Sequence, residues 1–222
     1  MFFKIMFVFL NDKLIGNGRR ERRGRRGHWQ MKELNDAIMT FGRGLGNDIV
    51  KVDMFLNHRI DTGLLFQMGR ELADYFKEER PTMILTVESS GIALAVATAH
   101  CLNDIPVVFA KKAAAANQSD DMAQTPVYSF THKCENMIRV DKKYLPIGSR
   151  VLIVDDFLAD GNAVSGMNKL VGELGGKVCG VGVAIEKGFQ QGGKMLRAMG
   201  INLKSLAIVT GIKDGEIQLA DG

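Results

Sequence analysis

Asp155 and Asp156 stand side by side directly after an unbroken apolar run, Val151 to Val154, and shortly before Gly161. Such a run reads as a strand buried on both faces. Helical spacing begins at Ala163. Strand, acidic pair, glycine loop and helix together make a place for a sugar phosphate. Carboxylates accept hydrogen bonds from sugar hydroxyls or face Mg²⁺. A helix start offers unpaired N–H groups and partial positive charge to a phosphate. Gly161 lets the backbone approach closely or take a positive φ. The same residues also read, more plainly, as a buried strand ended by a polar turn.

Three other stations carry polar chemistry. Glu88-Ser89-Ser90-Gly91 follows the apolar stretch Met83 to Val87 and precedes a helical stretch, Ile92 to Leu102. Its N–H groups and two hydroxyls can meet an anion, although the four residues also make an ordinary turn. Lys111 and Lys112 follow a third apolar stretch, Pro106 to Ala110; lysine meets a phosphate as a point charge. Glu186-Lys187-Gly188-Phe189 follows a fourth, Val178 to Ile185. The Lys187 ammonium only donates hydrogen bonds, so it suits a carbonyl oxygen. Read without any relative, these are surface lysines and a core phenylalanine.

The elements that must hold these stations follow from periodicity. Strands alternate with helices from Thr82 to Val209, which predicts an α/β fold with a mostly parallel sheet flanked by helices. In such sheets ligands sit beyond the carboxyl ends of the strands. Asp61 or Thr62 caps a helix running to about Glu79, with Leu65, Met68, Leu72 and Phe76 on its apolar stripe and Pro81 stopping it. Lys32 to Phe41 has helical spacing, with Leu34, Ile38 and Phe41 near one face, and Val50 and Val52 alternate as in a short strand. Residues 113–126 read as a loop. Val127 to Phe130 and Met137 to Val140 read as two short strands. Val164, Met167, Val171 and Leu174 give the helix after the glycine loop a buried face, ended by Gly175 and Gly176. A short helix, Lys194 to Met199, and strands Leu203 to Val209 and Glu216 to Leu219 complete the pattern.

The order of these motifs from Met31 to about Leu219 resembles the type I phosphoribosyltransferases. The resemblance implies that Asp155 and Asp156 end a strand and hold the ribose hydroxyls of 5-phosphoribosyl diphosphate (PRPP) as the catalytic pair. It implies that Ala159, Asp160, Gly161, Asn162 and Ala163 wrap the 5′-phosphate. The commoner family loop has threonines and a second glycine where this chain has Asp160, Asn162 and Ala163; the A-x-G-x-A form is similar to the xanthine branch. A carboxylate beside a phosphate is unfavourable, so Asp160 takes a backbone role only. By the same resemblance Ser89, Ser90, Gly91 and Lys111 face the diphosphate. Glu88 is structural or acts through Mg²⁺, and residues 113–126 form a mobile lid. Residues from about 31 to 60 form a small hood in which Val50 and Asn57 touch the purine, over a core from about 62 to 219. Lys187 meets the six-position oxygen and Phe189 stacks on the ring. The implied reaction joins xanthine to PRPP, with Mg²⁺ carried by PRPP and no direct protein ligand to the metal, giving xanthosine 5′-monophosphate and diphosphate. Guanine, hypoxanthine and orotate are alternative bases. A PRPP-sensing regulator that binds DNA elsewhere is a different class of reading. The resemblance also implies a cytoplasmic homodimer.

Composition fits this. At 222 residues, 46% hydrophobic and 24% charged, the chain suits one globular domain with at most a small appendage. No apolar run approaches a membrane span. Cys101, Cys134 and Cys179 are odd in number with no C-x-x-C spacing, and His28, His58, His100 and His132 show no metal-ligand spacing. The net charge of +4 is misleading, because residues 1–30 hold eight basic side chains against two acidic ones. That Arg/Gly-rich stretch is too short for a domain with its own core, and it is expected to be a disordered leader. Met31 begins MKELNDAI, which looks like the start of the related enzymes, so a misplaced translation start is the expectation for what precedes it. No nucleic-acid partner and no membrane partner is expected.

Overall fold

The computed structural model describes residues 30–112, 121–129 and 134–220. From Gln30 the chain enters α1 (Lys32–Phe41), a hairpin of β1 (Arg43–Leu45) and β2 (Ile49–Lys51), a π-helical turn over Asp53–Asn57, and α2 (Thr62–Phe76). Next come β3 (Met83–Val87), α3 (Gly91–Cys101) and β4 (Val107–Ala110), then a second hairpin, β5 (Met122–Ser129) with β6 (Cys134–Asp141). The chain continues through β7 (Arg150–Leu158), α4 (Asn162–Glu173), β8 (Lys177–Lys187), α5 (Gly192–Ala198), β9 (Leu203–Lys213) and β10 (Glu216–Leu219).

The apolar runs of the sequence lie side by side in one six-stranded sheet, ordered β10-β9-β8-β7-β3-β4. β10 runs antiparallel to β9 and the remaining neighbours are parallel. Side-chain alternation splits the core into two layers. Leu152 and Val154 face α1, α2 and α3, while Val151 and Ile153 face α4 and the β5–β6 hairpin. Two glycines of β8 let α2 approach closely: a Cβ at Gly180 would stand 2.3 Å from Phe76, and one at Gly182 2.9 Å from Leu72. The Asp61 carboxylate caps α2 by accepting the Leu64 N–H at 3.0 Å. Among the described residues no helix is long and apolar enough to cross a membrane.

Four expectations change. The acidic pair does not end its strand: β7 continues through Asp155 and Asp156 to Leu158, because its ladder with β8 persists to Leu158↔Glu186. On the other side, pairing with β3 stops at Leu85↔Ile153. Residues 122–126 are strand, not loop. They pair with β6 from Met122↔Asp141 to Pro126↔Met137, with Ala123 and Thr125 buried. Phe41, expected on the buried face of α1, is 52% exposed, whereas Leu34 and Ile38 are fully covered. α2 stops at Phe76 and is followed by a 3₁₀ turn over Lys77–Glu79, so the helical stretch ends where Glu79 was expected. Gln30, counted with the leader, is fixed to the sheet: its side chain donates to the Ala220 carbonyl at 2.8 Å and accepts the Ile208 N–H at 3.1 Å. Residues 1–29, and 113–120 of the expected lid, lie outside the described residues, as does Phe130.

Candidate functional site

β7 lies between β8 and β3, and the chain winds outward on either side of it, through β3 to β4 and through β8 to β9. The order therefore reverses between β3 and β7, where a crevice opens beyond the strand ends. A cavity of about 400 Å³ occupies that crevice. Asp155, Asp156, Phe157 and Leu158 form its floor. The loop Ala159 to Ala163 and Val164 form one wall; Glu88, Ser90 and Lys112 form another. Val127, Tyr128, Asn136 and Ile138 of the β5–β6 hairpin close the third.

Both carboxylates are 6% exposed, and the Asp156 N–H donates to Asp155 Oδ1 at 3.0 Å. Burial, and then the neighbouring Asp156 charge, pushes the Asp155 carboxyl well above the usual carboxylate range. Gly91 lies against this carboxylate: a Cβ there would be 2.7 Å from Asp155 Oδ1 and 2.3 Å from Thr86 Oγ1. α3 can start this close to the acid only on a glycine.

Gly161 adopts φ +83° immediately before α4, the left-handed conformation that glycine takes without strain. The first hydrogen bond of the helix runs from the Ser165 N–H to the Gly161 carbonyl at 2.9 Å. The amides of Asn162, Ala163 and Val164 therefore have no partner within the helix, and all three residues line the cavity. The Asn162 side chain donates to the Tyr128 carbonyl at 3.2 Å, which ties the hairpin to the loop. Gly166 lets the hairpin pack onto α4, since a Cβ there would be 2.5 Å from Val127.

At the second wall, Glu88 Oε1 accepts the Lys112 N–H at 2.6 Å and so joins the ends of β3 and β4. Lys111 does not reach the cavity wall. Its backbone exchanges two 2.9 Å hydrogen bonds with Arg139, which leaves Lys112 to face the cavity. Ser90 lines the cavity; Ser89 and Gly91 do not.

Lys187 ends β8, where the β1–β2 turn meets it. Val50 is buried in the same hydrophobic cluster against which Phe157 and Phe189 pack. The Lys187 ammonium lies 6.0 Å from the Phe157 ring centre and donates to the Asp48 carbonyl of the β1–β2 turn at 2.7 Å. Burial pulls the Lys187 pKa down, opposed by the Asp48 and Asp160 charges. Asn57 is exposed at the end of the π-helical turn. Phe157 lines the cavity, as Tyr128 does, whereas Phe189 does not line it and packs against the hydrophobic cluster. Sequence reasoning missed Phe157, Tyr128 and Asn136, and of the lysine pair it chose Lys111, whereas Lys112 lines the cavity. Only the extra length of β7 signals Phe157, and pairing with a distant hairpin fixes Tyr128, Asn136 and Lys112.

Comparison with known proteins identifies the family. The phosphoribosyl transferase domain model matches residues 61–199. The chain belongs to the phosphoribosyltransferase family. The matched stretch of this phosphoribosyltransferase includes the acidic pair, the glycine loop and Lys187. The chain is 46% identical to a xanthine phosphoribosyltransferase of Clostridioides difficile, over 85% of its length and 99% of that protein. It is 48% identical to one from Heliobacterium modesticaldum, over 86% of this chain and 100% of the other. The crystal structure of adenine phosphoribosyltransferase from Rhodothermus marinus superposes with a TM-score of 0.64 at 23% identity, covering 80% of this chain and 99% of that one. At that identity the likeness concerns the fold alone. The type I phosphoribosyltransferase fold explains the mostly parallel sheet flanked by helices.

Proposed function

We propose that this phosphoribosyltransferase joins xanthine to PRPP, releasing diphosphate and xanthosine 5′-monophosphate. The observation that carries the reading is the meeting of Asp155, Asp156 and the unpaired amides of Asn162 to Val164 in one cavity. The 5′-phosphate sits on those amides, where the helix dipole favours an anion. Asp155 and Asp156 accept from the ribose hydroxyls. A base nitrogen attacks C1 of the sugar, the bond to diphosphate breaks, and the electron pair leaves with diphosphate. Positive charge develops on the ribose ring, and the adjacent carboxylates stabilise it. Ser90 and Lys112 lie where the diphosphate departs; Ser89, Gly91 and Lys111 shape that wall from behind. Holding base and sugar in line supplies much of the acceleration. No nucleophilic side chain is needed.

Mg²⁺ fits this donor set. Two carboxylates beside a diphosphate suit an ion that keeps its waters and binds mainly through phosphates. Asp155 and Asp156 would face it, and it would neutralise the leaving group.

Lys187 reads a six-position carbonyl, with Phe157 and Phe189 offering apolar faces and Val50 and Asn57 closing from the hood. This favours an oxopurine over adenine. The test is diphosphate release from PRPP with xanthine, guanine, hypoxanthine, adenine and orotate. Xanthine is expected to give the highest kcat/KM and adenine none; the same rate with adenine would remove the base assignment. Lys187→Ala should raise the xanthine KM by about tenfold or more, the scale of one charged hydrogen bond, with a smaller change for PRPP. A second copy of the chain is the expected partner. The open edge strand β4 and the exposed Phe66, Val96 and Phe109 supply apolar surface for it. A cytoplasmic setting accords with free thiols at Cys101 and Cys179.

A further inference from the structure

The phosphate loop is held from behind by α5. The Gly192 N–H donates to the Ala159 carbonyl at 3.0 Å. A Cβ at Gly192 would lie 2.3 Å from that carbonyl and 2.7 Å from the Gly161 nitrogen. A Cβ at Gly161 would in turn meet the Met195 methyl at 2.9 Å. α5 has seven residues and no side-chain N-cap, too short to hold its own place by helix propensity.

What fixes α5 is Glu186. This carboxylate is 4% exposed and accepts from both terminal nitrogens of Arg197, at 2.7 Å each, and from the Ser205 hydroxyl. Gly193 lies flat against the pair, since a Cβ there would be 1.9 Å from Glu186 Oε1. The next residue after Glu186 is Lys187, on the base side. One half-buried ion pair therefore connects the base-side end of β8, through α5, to the loop beneath the phosphate. A buried ion pair is on average no more stabilising than apolar side chains of the same volume. Its bidentate geometry does fix direction and distance.

We propose that Arg197 is a positioning residue: its pairing with Glu186 wedges α5 against Ala159 to Gly161, and so sets the phosphate loop relative to Lys187. The proposal rests on the phosphoribosyl-transfer reading above. Arg197→Met should raise the PRPP KM by about tenfold to a hundredfold, the cost of displacing a site by an ångström. At saturating PRPP its kcat should stay within about threefold of the parent. Arg197→Lys, with charge but no fork, should fall between. Arg197→Met leaves Glu186 buried without its partner, so the double variant Glu186→Gln/Arg197→Met provides a form with neither charge; it should show the same PRPP defect.

Amide exchange needs no substrate and separates two kinds of failure. In the full-length variants, exchange over residues 159–164 should rise while the body of α4 keeps its protection. If the parent turns over no base with PRPP, the transfer reading fails, and the exchange result still decides whether Arg197 holds the loop. Unchanged exchange at 159–164 in a folded double variant would overturn the proposal. So would a PRPP KM equal to the parent's with only a lower melting temperature.

Discussion

At Asp155 two carboxylates share one buried floor, and the cost of that arrangement depends on pH. Its folded pKa lies above its unfolded value because of burial and the Asp156 charge. Between those two values the folded chain binds more protons than the unfolded chain. The stability associated with this group is therefore full below the ordinary carboxylate range and is lost as pH rises through the raised value. Asp155→Asn keeps an oxygen to accept the Asp156 N–H and removes the charge. The variant should melt above the parent at neutral pH, and the gap should close as pH falls to about 4, the ordinary carboxylate value. Turnover should fall by about tenfold or more, as expected when a charge opposite a developing cation is lost. Melting curves whose separation does not change with pH would mean that Asp155 is not held up by its surroundings.

The elements differ in how far local sequence determines them. The β5–β6 hairpin is placed by α4, and Gly166 is the contact. Gly166→Ala puts a methyl 2.5 Å from Val127 and should cost about 1–3 kcal/mol by overpacking. The hairpin lends Tyr128 and Asn136 to the cavity, so the PRPP KM should rise as well; a denaturant melt and a KM titration check the two halves. The apolar runs of the main sheet were legible because burial on both faces leaves little choice of residue. The Asp61 cap and the Gly161 turn were legible because their causes lie within four residues. The end of β7 was misread because loss of apolar character was taken for loss of pairing. The ladder to β8 runs on beneath both acids while the ladder to β3 stops. Residues 122–126 were misread because Gln124, Thr125 and Pro126 hide the alternation that pairing with β6 reveals. The choice of Lys112 over Lys111 depends on an isolated bridge to Arg139, 28 residues away in sequence, and has no local signal.

Across the whole molecule, the site sits where strand order reverses, between layers contributed by distant parts of the chain. The β1–β2 turn meets β8 through Asp48 and Lys187, and Gln30 and Met31 tie the segment before α1 to β9. Removing residues 1–29 should therefore leave the melting temperature unchanged and kcat/KM within about twofold of the full chain. A large loss would show that the leader contributes to the fold or the site. The account as a whole depends on a sugar gripped at Asp156 while its phosphate rests on the start of α4. The most direct test is calorimetric titration of PRPP with Mg²⁺ into the full-length parent and into Asp156→Asn. The parent should bind one PRPP per chain, and the variant should bind at least about tenfold more weakly, the worth of a lost charged hydrogen bond. Equal affinity in a folded Asp156→Asn would contradict the account.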